Sequence, residues 1–392
     1  MRKLPSDESS NDVYIVTLEG GLTGVWKPHE EVWASNYRAE VLAYELSELF
    51  AYERVPITVK RQEHGQVGSI QLFRESIKGG ELAEFELYMQ SLFDFIIDQR
   101  DRYSRNYLVS LEKTIVSIDN GVGLSGKGGS YLPDLEKILQ GLPAFRATEK
   151  GKKFLDNVRK YAASRPLKEE VSAYLGAEEA QNLLDRMQFI IKYIDSQLAG
   201  ISKSLFLKNF VSSKGVGDYG LGSVAQVVRF AEMPRVEGKK LLEEIISSDE
   251  AGDYALGVAA LAIREAKGAI VGSEQLLKDI LSSNEAGDFA QTHVVYAVSF
   301  AKIMPTDAIK ILQAVISSPN SGAYSVDRVV YFLPALNIFE QDLLQILKSI
   351  LSLQEINDLA LKGANLMIKK SAFLRNDKEL QMLLKIKNGD EL

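Results

Sequence analysis

At 392 residues with no cysteine and a net charge of −7, the chain is acidic and longer than one ordinary core, and it cannot use disulfides, thiolate metal sites or a cysteine nucleophile. Its three histidines, His29, His64 and His293, are too scattered to suggest an imidazole metal site or a Ser-His-Asp triad, so any catalysis must rest on carboxylates, amides and lysine. Both halves are net acidic, which disfavours nucleic acid as a partner, and no apolar run approaches the roughly 20 residues of a membrane span.

The opening MRKLPSDESSNDVY is polar and lacks the apolar centre of a signal peptide. It reads as a frayed tail over residues 1–11 of a cytoplasmic protein. DVYIVTLEGGLTGVWKP then offers two β-prone runs around a Gly-rich turn, and YRAEVLAYELSELFAY has helical periodicity through Leu42, Leu46, Leu49 and Phe50. RVPITVKR and GSIQLF are again β-type, and LAEFELYMQSLFDFIID is a helix that delivers the chain to Asp101. The order is strand, Gly turn, strand ending in Lys27, helix carrying Glu40, further strands, helix and polar loop.

DRYSRNYLV places Asp101 and Asn106 five positions apart. NYLVSL, EK and TIVSIDNG then form two short β runs about a tight turn, with Asp119 where the second run ends. Phosphoryl transfer from a nucleotide needs a cation on the phosphates, metal to neutralise developing charge, and a carboxylate to orient or deprotonate the attacking hydroxyl. In the kinase scheme a loop Asp and the Asn five positions on supply part of this, and an Asp after the next hairpin holds metal. Two oxygen ligands at the two ends of one hairpin can converge on one Mg2+.

GVWKP, YRAEVLAYEL, RVPITV, GSIQLF, DFIIDQRDRYSRNYLV and VSIDNG together resemble the successive motifs of the atypical kinases, the group that includes the bacterial HipA-like kinases, the phosphatidylinositol kinase-like proteins and certain secretory-pathway kinases. The resemblance runs over about residues 12–125 and more faintly to 198. It implies that Lys27 grips the α and β phosphates of ATP and that Glu40 holds Lys27, with Glu45 as the rival partner. Gly20, Gly21 and Gly24 would let backbone approach the phosphates, and the hinge at Gln71, Leu72 and Phe73 would meet the adenine. Asp101 would be the base or hydroxyl-orienting residue, Asn106 and Asp119 would bind Mg2+ or Mn2+, and Arg102 would be structural.

Each residue alone has a plainer reading. Lys27 could be a surface lysine beside a proline, Asp101 one of a solvated charge run, and Asn120-Gly121 a hairpin turn. The joint order outweighs these. GVGLSGKGG at 121–129 nearly matches the P-loop pattern, but Gly128 stands where a metal-binding hydroxyl belongs. It reads instead as a short activation-type segment, and no A-P-E motif follows.

The second half repeats itself. SSKGVGDYG at 212, SSDEAGDYA at 247, SSNEAGDFA at 282 and SSPNSGAYS at 317 recur every 35 residues, and SLQEINDLA at 352 is a weaker copy. Apolar-periodic stretches on both sides make each a helix-turn-helix unit, with Asp218, Asp253, Asp288 and Asp358 expected to cap helices. The layout resembles HEAT-type repeats. The expected fold is thus an α+β, kinase-like bilobal domain over 12–198 (small lobe about 12–77, large lobe about 78–198), followed by an all-α, HEAT-like solenoid over 199–392. The expected activity is ATP- and Mg-dependent phosphorylation of a protein Ser/Thr hydroxyl, with a protein substrate or partner held on the repeats. A lipid or small-molecule alcohol kinase, and an idle kinase-fold scaffold, are the alternatives.

Overall fold

The computed structural model describes residues 2–3, 12–29, 36–63, 65–77, 81–102, 106–124, 135–230, 235–266, 270, 272–300, 303–336, 338–353 and 356–388. The chain forms two compact units, Met1–Lys203 and Ser204–Leu392, where the sequence reading placed the boundary at 198/199. Among the described residues no helix is long and apolar enough to cross a membrane.

The first unit opens with strands β1 (Arg2–Lys3), β2 (Tyr14–Thr17), β3 (Thr23–Pro28), β4 (Thr58–Glu63) and β5 (Gln66–Leu72), with helix α1 (Tyr37–Leu49) between β3 and β4 in the chain. The strands form one antiparallel sheet in the order β1-β2-β3-β5-β4. The β2–β3 hairpin closes over Glu19–Gly21, where Gly20 and Gly21 both take φ of 81°, a left-handed conformation that costs least without a Cβ. Alternation places Val16, Trp26 and Ile70 together on one face, with Tyr14 and Leu18 against them. Helix α1 starts at Asn36, whose side chain accepts the N–H of Arg38 at 2.9 Å, and packs on β4 and β5.

The polar opening is not wholly frayed. Arg2 and Lys3 pair with Ile15 and Tyr14 as an edge strand, and Lys3 lies 2.5 Å from Asp12. Edge hydrogen bonds and that ion pair hold residues that composition alone marks as loose; residues 4–11 lie outside the described part.

Helix α2 (Glu84–Ile96) leads to the hairpin of β6 (Tyr107–Val109) and β7 (Ile115–Ser117), and helices α3 (Leu135–Ala147), α4 (Glu149–Tyr161), α5 (Arg165–Leu175) and α6 (Ala177–Leu198) complete the unit. Phe50, Tyr52, Phe93, Phe95, Phe154 and Phe189 are its largest fully buried side chains, and Tyr52 stacks on Phe93 with ring centres 4.3 Å apart. The register of the hairpin, Tyr107 opposite Ser117 and Val109 opposite Ile115, sets the residue before β6 beside those after β7. Asn106 and Asp119 therefore lie at the same end of it.

Every described element of the second unit is a helix: α7 (Lys203–Val211), α8 (Gly217–Phe230), α9 (Arg235–Ile246), α10 (Asp253–Glu265), α11 (Ser273–Ser282), α12 (Asp288–Phe300), α13 (Pro305–Ser317), α14 (Ala323–Phe332), α15 (Glu340–Ser352), α16 (Asp358–Lys370), α17 (Ala372–Asn376) and α18 (Lys378–Asn388). They form two layers: α8, α10, α12, α14 and α16 touch in succession, and so do α9, α11, α13 and α15.

The repeating aspartates cap across this stack rather than on their own helices. Asp218 accepts the N–H groups of Gly252, Tyr254 and Ala255 at 2.7, 3.1 and 2.8 Å, which open α10. Asp253 does the same for Phe289 and Ala290 of α12, and Asp288 for Gly322 and Ser325 of α14. The incoming carboxylate explains the glycine before each helix: a Cβ on Gly252 would stand 2.9 Å from the Asp218 carboxylate. The fourth copy has Ala323 in the aspartate position. Without an incoming carboxylate, Asn357 replaces the glycine and caps α16 itself, accepting the N–H of Ala360 at 2.7 Å, while Asp358 is exposed. The sequence expectation for Asp358 is corrected accordingly.

The Asp218 cap carries a pH signature. Burial raises the Asp218 pKa from 3.8 to about 6, against the three N–H donors and with help from the Asp253 charge. The folded state thus favours the protonated form, so the stabilising contribution is complete below pH 3.8 and lost as pH rises through 6. Denaturant titrations at pH 5 and pH 7 are expected to show a smaller pH-dependent loss in Asp218→Asn than in the wild type. Identical slopes would count against this account.

Candidate active site

Lys27 lies near the end of β3, opposite Ser69 of β5. Its Nζ is 2.6 Å from Glu40 Oε1 and 2.9 Å from Asp119 Oδ1. Glu40 is buried in the first turn of α1, and its other oxygen accepts the N–H of Asn120 at 3.1 Å. One carboxylate therefore ties the Lys27 ammonium to the backbone immediately after Asp119. Burial opposes the charge on Lys27, but Asp119 and Glu40 outweigh it and hold the ammonium above the ordinary lysine range. The rival Glu45 accepts instead from the Tyr174 hydroxyl at 3.3 Å.

Asp119 follows β7 with φ of 57° and a partly exposed side chain. Across the hairpin end, Asn106 Nδ2 donates to the Asp101 carbonyl and, at 3.1 Å, to its carboxylate. Gln99 links the two acidic positions through their backbones: its Oε1 accepts the Asp101 N–H at 3.2 Å and its Nε2 donates to the Asp119 carbonyl at 2.9 Å. Residues 103–105 of the loop lie outside the described part.

Arg102, read from the sequence as structural, organises the whole constellation. Its buried guanidinium donates to the carbonyls of Asn106 and Ile118, the latter at 2.7 Å, and to Asn120 Oδ1 at 2.7 Å and Ser117 Oγ at 3.1 Å. Asp94 of α2 takes Nε and Nη2 at 3.0 and 2.9 Å. Gln90 donates to Asp94 at 2.7 Å and accepts the Tyr52 hydroxyl at 2.8 Å, extending the network into the core. Sequence reasoning missed Gln90, Asp94, Gln99, Ser117 and Asn120. The available signal was Asp94, a charge set among apolar residues in SLFDFII, where a buried carboxylate demands a cation.

The nucleotide-binding expectations divide. Gly20 and Gly21 form the exposed tip of the β2–β3 hairpin. Gly24 is a sheet residue whose added Cβ would lie 3.3 Å from Ile70 and Val16, so packing already accounts for it. Gln71 is buried on β5 and donates to Thr58 at 2.9 Å. The N–H groups of Leu72 and Phe73 donate to the carbonyls of Ile57 and Thr23, at 2.8 and 3.0 Å. They are committed to the sheet rather than free for a purine, and the half-exposed Phe73 ring is the accessible part of the hinge. Of the glycine stretch 121–129, residues 125–129 lie outside the described part; Leu124 donates to the Ile97 carbonyl at 2.7 Å.

Among the described residues no three His, Asp or Glu gather as a metal cluster. Asp119 and Asn106 are a two-residue set of hard oxygen donors. Such a set suits Mg2+, which takes one or two carboxylates together with substrate phosphates and water rather than an all-protein cage. The hydrogen bonds from Asn106 Nδ2 to Asp101 leave its amide oxygen as the donor atom for an ion. No protein-family model matches the chain, and no curated protein matches it either.

Proposed function

We propose that the chain is an ATP- and Mg-dependent phosphotransferase, with unit 1 a kinase-like bilobal domain and unit 2 a HEAT-like solenoid that holds a protein substrate or partner. The observation carrying this reading is the placement of Lys27 Nζ between Glu40 and Asp119, joined through Gln99 and Arg102 to the Asp101–Asn106 loop. A strand lysine paired to a helical glutamate, beside a strand-end aspartate, is the charge arrangement that protein kinases use for phosphoryl transfer.

In this reading Lys27 turns its ammonium to the α and β phosphates, and Glu40 keeps it oriented. Asp101 accepts the hydroxyl proton of the acceptor, while Asn106 orients the Asp101 carboxylate by hydrogen bonding. Asp119 and Asn106 hold Mg2+, which when bound neutralises phosphate charge. The acceptor is a protein Ser/Thr hydroxyl. Retention of Lys27, Asp101, Asn106 and Asp119 together argues against an idle scaffold, which has no chemical need of all four.

The deciding experiment incubates the full chain with Mg2+ and ATP labelled at the γ or the α position, with casein and myelin basic protein as acceptors. Transfer of the γ label alone is expected, and transfer of the α label, or of neither, would overturn the reading. Lys27→Met is expected to lower transfer by about 10²-fold or more. It also leaves Glu40 buried with one backbone N–H, at a cost of about 1–3 kcal/mol. Adding Glu40→Gln should restore part of that stability and none of the activity. Full activity in Lys27→Met would remove the lysine from the mechanism.

A further inference from the structure

In the first layer of unit 2 an aromatic residue follows the aspartate position in the first four copies: Tyr219, Tyr254, Phe289 and Tyr324. The first three stack, with ring centres 4.1 Å apart for Tyr219 and Tyr254 and 5.9 Å apart for Tyr254 and Phe289. Glycines make room for this: a Cβ on Gly222 would lie 2.5 Å from the Tyr254 ring, and one on Gly257 2.3 Å from Phe289. The next residue in that series is Thr292, and from there the ring contacts leave the 35-residue register and run through His293, Tyr296 and Phe332, with successive ring centres 4.4, 5.8 and 5.2 Å apart from Phe289 onward. Tyr324 stands 48% exposed instead, and Arg328 lies 4.5 Å from its ring centre.

Around Phe332 lies an exposed apolar and cationic stripe. Phe300 is 63% exposed and Tyr331 is 67% exposed, and Phe332 joins them with ring centres 5.9 and 4.9 Å away. Arg264 lies 5.7 Å from the Phe300 ring. The rings already carry guanidinium groups, so a cationic guest would meet positive charge. Nearby acids offset this only in part: Glu265 is shared between Arg229, at 2.6 Å, and Arg264, and Asp327 lies 3.8 Å from Arg328, so that three guanidiniums stand against two carboxylates. Arg328 Nε is buried with no hydrogen-bond partner among the described residues. Two guanidiniums, each beside a carboxylate, are too few to track the phosphates of a nucleic acid.

We propose that this stripe is a docking surface for an acidic peptide segment of a partner protein, a carboxylate meeting Arg328 and an adjacent apolar side chain seated among Tyr324, Tyr331 and Phe300. Rings bordering a guanidinium pair an apolar anchor with a carboxylate fork, the residue types that dominate binding at interfaces. The inference rests on the part of the proposed reading that gives unit 2 a protein partner, and does not need the phosphotransferase activity of unit 1.

The test uses the full chain against immobilised pools of twelve-residue peptides, each with one fixed central Phe or Leu, flanked by four acidic, four neutral or four basic residues. The acidic pool is expected to be retained at least tenfold better than the others. Arg328→Gln and Tyr331→Ser should each lower that retention at least tenfold, whereas Phe339→Ser, which removes another exposed ring, should not. Tyr331→Ser removes only an exposed side chain, so it decides the matter if Arg328→Gln lowers the melting temperature. Equal retention of all pools, retention of none, or unchanged binding by Tyr331→Ser overturns the proposal. So does binding of a dT20 oligonucleotide that the same variants abolish, since the surface would then belong to nucleic acid. The labelled-ATP assay reads separately, so failure of one leaves the other standing.

Discussion

Arg102→Met is expected to destabilise unit 1 by about 3–5 kcal/mol, the largest stability effect of any single exchange at the site. The methionine fills much of the volume but leaves the Asp94 carboxylate buried without its cation, and strips a donor from the carbonyls of Asn106 and Ile118. Lysine would not rescue it, because one ammonium cannot reproduce the fork that spans Asp94, Ile118 and Asn120. Urea titrations of the full chain provide the measurement, together with the double variant Asp94→Asn, Arg102→Met. The double variant should recover the part of the loss due to the stranded charge but not the part due to the two carbonyls. A loss below about 1 kcal/mol would show that the network is not what holds the loop and hairpin end together.

Asp119→Asn is expected to reduce phosphoryl transfer by at least about 10²-fold while leaving folding nearly intact. Asparagine accepts the left-handed φ of 57° at this position as readily as aspartate, and the Gln99 bond is to the backbone carbonyl, which the exchange leaves in place. The side chain is partly exposed, so loss of its ion pair with Lys27 costs little. The wild type should gain melting temperature with Mg2+ and ATP by mass action, and the variant should lose the Mg-dependent part of that gain. A variant keeping most of its activity would sink the assignment of Asp119.

The candidate site was legible to the extent that it lies on residues whose type and order are chemically unusual. Lys27, Glu40, Asp101, Asn106 and Asp119 could be named from the order of elements together with the resemblance to the atypical kinases, which supplied their roles. The choice of Glu40 over Glu45 came from motif fit, and the fold supports it by placing Glu45 on Tyr174. Gln99 and Asn120 look like ordinary loop residues in the chain. Gln99 binds the backbones of Asp101 and Asp119, and Asn120 meets the Arg102 guanidinium and the Glu40 carboxylate, contacts that carry no sequence signature.

The repeats divide in the same way. Their period of 35, the helix-turn-helix unit and the presence of a capping aspartate follow from local rules, since periodicity and turn chemistry act within one unit. Which helix each aspartate caps did not follow, because the acceptor and its donors are 34 to 37 residues apart and meet only when units stack. For the same reason Gly252 and Asn357 became intelligible only as the presence and absence of an incoming carboxylate. Composition and periodicity by themselves determined that helices repeat in the second half and that strands and helices mix in the first. Tertiary structure alone decided that Asp94 and Arg102 meet, since desolvation forces a partner on a buried charge wherever the chain can supply one.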